Sequence, residues 1–290
     1  MKNSGLAKAD LHNFLRTFSG SDYNDLGRVV DIASERLGRG GIVGITSCED
    51  TRYEDLLKTS GPKFIDRGNA IYFPDRDVWI VKGQLFNASH AGNKCQFLAL
   101  GLKKEEYLPG RFEDLAQTLE KAKGMNLISV LYAPFGGMHP IGPVISQNTD
   151  IIKYFSAVNT FHGEVGEEAN KKAKDIYPIL KRNEINIGAL AFSGAHSFSG
   201  IGTSYTILPR MDIESINSPE DVVANLRQGI LQSAATDNPF KEQYLPFDAL
   251  KHKIKIGAYI VLSKIQEKKP NKLLSELLDK MAKSQLPFFE

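Results

Sequence analysis

A chain of 290 residues, 42% apolar and 24% charged, can build a full core and has the composition of an ordinary folded protein, which excludes a disordered or low-complexity one. Its formal net charge of +2 excludes a broad polyanion-binding surface while leaving room for a local basic patch. Two cysteines, Cys48 and Cys95, cannot make a disulfide framework; with neither a signal peptide nor a long apolar run, the expected setting is cytoplasmic and reduced, without a membrane.

In chain order, a short strand over Lys8–Leu11 ends at His12. Leu26, Val29, Val30, Ile32, Ala33 and Leu37 recur at helical spacing, so Asp25–Leu37 is a predicted helix, stopped by Gly38, Gly40 and Gly41. Ile42–Thr46 is a buried strand leading to Ser47 and Cys48, and Thr51–Ser60 is another helix. The segments AIYF, VWIVKGQLF and CQFLALGL are strands separated by the turn-rich PDRD and NASHAGNK, a hairpin or meander. Phe112–Lys123 is an amphipathic helix, and Leu127–Leu131 is a strand entering the Gly- and Pro-rich loop YAPFGGMHPIGP. A short helix over Asp150–Phe155, a strand over Ala157–Phe161 and a helix over Gly166–Arg182 follow. Ile187–Phe192 is a short apolar run suited to a strand buried on both faces, with His196 just beyond it and a second strand ending at Leu208. Ser218 caps a helix that starts with Pro219 and runs to Leu231. Two helical runs, Phe247–Lys268 and Asn271–Lys283, close the chain as a helical tail.

Alternation of strands and helices predicts a (β/α) barrel or a doubly wound sheet, and in either case ligands bind at the carboxyl ends of the strands. Those ends carry His12, Ser47, Cys48, Gln84, Ala133, Asn159, Gly194 and His196.

From Ala7 to Leu231, six segments in order resemble the PHP (polymerase and histidinol phosphatase) superfamily of metal-dependent phosphoesterases. ADLHNF is similar to an opening DLHNH, and GIVGITSCEDT to LDVIAITDHDT. VKGQLF with QFLALGL resembles a GxE strand and its successor, and ISVLYAPF a strand ending in AHP. SAVNTFHGEVGEEANKKA resembles AVEVFNG with its N-x-x-A helix, and ALAFSGAHSFSGIGTSYTIL resembles GSDAHS with IGTS. The resemblance implies an α/β fold, a distorted (β/α)7 TIM-like barrel over residues 5–231; the helical runs beyond it make residues 232–290 an expected helical C-terminal extension packed on the barrel. It also implies phosphate-ester hydrolysis by divalent cations at the barrel mouth.

At the matched positions most ligands are missing. His12 matches the first histidine, but Phe14 replaces the second; Ser47 and Cys48 replace Asp and His; Gln84 stands for the bridging Glu and Gln96 for a His. Ala133 replaces the His of the HP pair, Asn159 an acid, His162 an Asn and Gly194 the final Asp, while His196 is retained. Unit charges 4 Å apart repel by about 4 kcal/mol at an effective dielectric near 20, so paired divalent ions need carboxylates that amides cannot replace. The expectation is a pseudoenzyme whose vestigial pocket is His12, Ser47, Cys48, Gln84, Gln96, Asn159, His162 and His196, with no metal or other cofactor. It would take a small anionic ligand or a protein partner; nucleic acid is not indicated.

The alternative is a phosphoesterase with one Zn or Mn on His12, Cys48 and His196 and Glu49 or Asp50 as base. A third reading puts the role in the tail, on a face of Ile254, Ala258, Ile265 and Leu273–Leu278. The plainer roles are an inert Cys48, a His12 satisfied at its strand end and a His196 bonded to the turn around Ser193 and Ser197. Arg16, Lys82 and Arg52 lie near strand ends, within reach of an anion or simply at the surface.

Overall fold

The computed structural model describes residues 5–14, 25–48, 52–59, 61–108, 110–233, 240–241 and 272. Its elements are β1 (Leu6–Asn13), α1 (Leu26–Leu37), β2 (Gly41–Ser47), α2 (Arg52–Leu57), β3 (Ile65–Asp66), β4 (Ala70–Phe73), β5 (Val78–His90) and β6 (Asn93–Leu100). After them come β7 (Glu113–Asp114), α3 (Leu115–Gly124), β8 (Ile128–Leu131), α4 (Gly142–Gln147), β9 (Ala157–His162), α5 (Glu167–Arg182), β10 (Gly188–Phe192), β11 (Tyr205–Pro209), α6 (Pro219–Ser233) and β12 (Phe240–Lys241). The predicted tail helices lie outside the described residues, as do Arg16, Glu49 and Asp50.

The sheet runs β10-β9-β8-β6-β5-β2-β1-β11-β12. β1, β2 and β5 are parallel neighbours, as are β8, β9 and β10. β6 runs against both β5 and β8, which is one distortion from a regular (β/α) barrel. The sheet curls until its two ends meet. Asn13 bridges Ala195, Phe14 N–H donates to Ala195 O at 2.6 Å, and Gly194 N–H donates to His12 O at 3.2 Å. At the other end of this seam β11 lies antiparallel on β1, and Thr206 Oγ1 accepts the Ala191 N–H at 2.9 Å. The result is the expected distorted TIM-like barrel.

Three apolar clusters follow from strand alternation. One fills the barrel with Ala9, Leu11, Ile42, Val81, Leu98, Val130 and Leu190, and α6 adds Val222, Leu226 and Ile230 to it. The outward residues form the other two, against α3 and α4 on one side and α1 on the other. Helix α1 buries Leu26, Val29, Val30, Ala33 and Leu37, is capped by Asp25 and ends at Gly38. Ser218 caps α6 as predicted: its Oγ accepts Asp221 N–H at 3.2 Å, and Asp221 Oδ2 accepts Ser218 N–H at 3.0 Å, a reciprocal pair.

NASHAGNK closes the predicted hairpin in a tight turn. Strand pairing runs to His90↔Asn93, and only Ala91 and Gly92 turn, both at positive φ, 48° and 80°, as a two-residue hairpin requires. The helix expected from Phe112 starts at Leu115, because Glu113 and Asp114 pair with Ala88 and Ser89 of β5.

Candidate functional site

Two irregularities in the strands build the mouth. On β1 the register passes from Asp10↔Val43 to Asn13↔Ile45, so Leu11 and His12 together oppose Gly44. A Cβ on Gly44 would lie 2.2 Å from Leu11 O, so this bulge needs glycine there. Bulges re-aim side chains, and His12 joins Leu11 inside. On β9 the register passes from Asn159↔Leu190 to Phe161↔Ala191, and His162 turns inward in the same way. Asn170 of α5 holds His162 by its backbone, accepting the N–H at 2.8 Å and donating to the O at 3.0 Å.

The mouth is therefore filled by rings. His12 lies 4.8 Å from Tyr132 and 5.5 Å from His162 between centroids, and Tyr132 lies 5.2 Å from His162. Phe192 sits 6.0 Å from His12, and Phe14 touches both surviving histidines, at 6.3 Å from His12 and 5.2 Å from His196. His12 and His162 are 2% and 1% exposed, so this is core packing. His12 Nδ1 is bonded to Thr46 Oγ1 at 3.1 Å. His162 Nδ1 accepts Glu164 N–H at 3.2 Å, which fixes that nitrogen as unprotonated. Burial raises the Tyr132 hydroxyl well above its ordinary value, with Glu164 and Cys48 adding to the effect. Cys48 is half-buried against the interior cluster.

The other predicted residues are placed elsewhere. Ser47 faces away from the interior; its Oγ lies 3.5 Å from Gly83 O. Gln84 also points outward: Oε1 accepts Leu108 N–H at 2.8 Å and Nε2 donates to Leu108 O at 3.2 Å. The inward residue of that GxE-like strand is Leu85, third counted from Gly83 and part of the interior cluster. Gln96 is on the hairpin, donating to Asn87 Oδ1 at 2.8 Å. Asn159 ties the loop after β8 to β9 and β10: Oδ1 accepts Ala133 N–H at 3.2 Å, and Nδ2 donates to Phe161 O and Leu190 O at 2.6 and 3.2 Å. Lys82 is no surface anion site but fully buried against Glu54, 2.6 Å away. His196 Nε2 lies 3.3 Å from Glu164 Oε2, in place of the expected bond to its own turn.

Glu164 is the residue that sequence reasoning passed over. Its side chain is 7% exposed and its carboxylate lies beside His196, although it matches no ligand position of the resemblance. The available signal was an acid two residues after a histidine at a strand end. Among the described residues, no group of three or more His, Cys, Asp or Glu side chains is placed to hold a metal ion.

The fold has counterparts among solved structures. The lesion-specific endonuclease PfuEndoQ from Pyrococcus furiosus is similar over 78% of this chain, with 15% identity and a TM-score of 0.52. This chain covers 56% of that endonuclease. PsfC from Pseudomonas syringae matches 76% of the chain and 88% of its own, at 13% identity and a TM-score of 0.49. A two-domain Bacteroides vulgatus protein containing a predicted PHP-like metal-dependent phosphoesterase matches 75% of the chain and 63% of its own, at 13% identity and a TM-score of 0.43. No family model and no curated protein matches the chain. The likeness is one of fold, a distorted α/β barrel. No helix among the described residues is long and apolar enough to cross a membrane.

Proposed function

We propose that this chain is a PHP-type barrel that binds without hydrolysing, a pseudoenzyme whose partner is a small anionic ligand or another protein. One observation carries the reading: the packed rings of His12, Tyr132 and His162 occupy the mouth, within 5.5 Å of one another. The amide that stands for a carboxylate gives further support, because it is already committed: Asn159 holds three backbone groups. A two-metal hydrolase needs bridging carboxylates, and the strand where one is expected turns Leu85 inward. The residues present do not fit a metal cluster, and no step through one is derived. The test combines elemental analysis of purified protein with a phosphatase screen in added Mn or Zn. Background turnover and no stoichiometric metal are expected; two or more tightly held ions per chain, with turnover, overturn the proposal.

A second reading, a phosphoesterase with a reduced site, is favoured by Glu164. It is an acid at the mouth beside His196, the kind of group that a single-ion or acid–base mechanism uses. Turnover in the same screen that is lost in both Glu164→Gln and His196→Ala would select it.

A further inference from the structure

We infer that Glu164 and His162 have taken over the space of the acid lost at position 194, so that the mouth is a rebuilt structure into which that acid cannot be returned. The inference rests on the non-hydrolytic reading above and deepens it.

By the resemblance, position 194 is the place of the final Asp. Here Gly194 has φ +69°, and a Cβ on it would lie 2.3 Å from Cε1 and 3.0 Å from Nδ1 of His162, and 2.8 Å from Cγ of Glu164. Separations under 3.0 Å require something to move, and the His162 ring has little freedom. Asn170 clamps its backbone from both sides, Glu164 N–H is bonded to its Nδ1, and its faces pack on His12 and Tyr132. The Glu164 stem crosses the same space, and its carboxylate ends on His196 Nε2 at 3.3 Å. The mouth thus has a carboxylate delivered from the β9 side in place of one from the β10 side. Glu164 acts as a positioning residue for His196. The two departures from the family pattern at 162 and 194 are one event: the imidazole fits because the glycine has no side chain.

The experiment is a mutant cycle read by thermal melting, joined to a metal-uptake measurement. Gly194→Ala should lower Tm by roughly 5 °C or more, through overpacking and the positive φ. In an H162A/E164A background the φ strain persists but the contacts are gone, so the same substitution should cost roughly half as much or less. The single backgrounds H162A and E164A give the same comparison if the double variant does not fold. Gly194→Asp, equilibrated with Mn and passed through a desalting column, should retain no stoichiometric metal. Equal Tm losses in all backgrounds, or a Gly194→Asp protein of unchanged Tm that holds one or more Mn per chain, overturns the inference. Clustered ions on the wild-type protein overturn the non-hydrolytic reading instead, and the steric coupling at 194 is read independently of that result.

Discussion

Two buried polar clusters lie on opposite faces of the barrel wall, and they are held in different ways. Outside, Lys82 Nζ donates to Glu54 Oε1 at 2.6 Å, to Glu106 O at 2.8 Å and to Lys103 O at 3.2 Å, and lies 3.9 Å above the Tyr107 ring. Glu54 also accepts Tyr107 OH and Glu105 N–H, at 2.5 and 3.0 Å. Burial pushes the Glu54 carboxyl up, but the bonds from Lys82 and Tyr107 outweigh it and leave the group below its ordinary value. Inside, His12, Tyr132 and His162 meet mainly ring to ring. The charged cluster ties α2 and the 103–107 loop to β5, while the rings at the mouth lie against one another without an ion pair between them.

The contrast can be broken first at the charged cluster. Lys82→Ala leaves Glu54 buried and unpaired and should cost about 3–5 kcal/mol, read by urea unfolding, whereas a K82M/E54L double substitution should recover much of it. A loss under about 1 kcal/mol for Lys82→Ala would mean the pair is solvated and the contrast false.

Asp10 tests a buried carboxyl on the seam. It accepts Ser193 N–H at 3.1 Å and Gly202 N–H at 2.8 Å, and Ser193 Oγ–H donates to it at 2.5 Å. Burial still wins and raises its pKa from 3.8 to about 6. The folded state then holds a proton that the unfolded chain releases between these values. Its contribution to stability is full below pH 3.8 and lost as pH rises through 6, by about 3 kcal/mol at roughly 1.4 kcal/mol per pH unit. Asp10→Asn should flatten stability across that window; an unchanged pH profile would show that another group titrates there.

Asn159→Ala removes one hydrogen bond from each of three buried backbone groups, of which Leu190 O keeps Thr160 Oγ1 at 3.2 Å, and should cost about 1–3 kcal/mol. Asn159→Asp should do no better, because a carboxylate cannot donate to Phe161 O and Leu190 O. The smallest effect belongs to the rim: His196→Ala should cost about 0.5–1.5 kcal/mol and leave phosphatase readings where they were.

The sequence carried most of the barrel because its strands are short apolar runs and its helices have clear ends, such as Asp25 with Gly38 and Ser218 with Pro219. What it hid were register events. No pattern announces that Leu11 and His12 share one partner on β2, or that Thr160 is an extra residue beside β10. Those slips turn His12 and His162 inward. Gln84 and Leu85 were misjudged for a related reason: inward and outward alternate residue by residue along a strand, so counting one place wrong exchanges a polar residue for an apolar one. Glu164 escaped because it reaches the mouth from a loop, where spacing along the chain says little about direction.

The seam has a consequence for how the chain becomes a barrel. Leu6 pairs with Pro209 and Ala9 with Thr206, so the first strand finds its antiparallel neighbour only near the far end of the described chain. Such distant pairing makes for slow folding, because a long loop must close before its contacts are rewarded. During synthesis the nascent chain waits with β1 unpaired on that side until β11 has left the ribosome. Holding the chain soluble over that interval is a demand on the cell that the finished protein no longer shows.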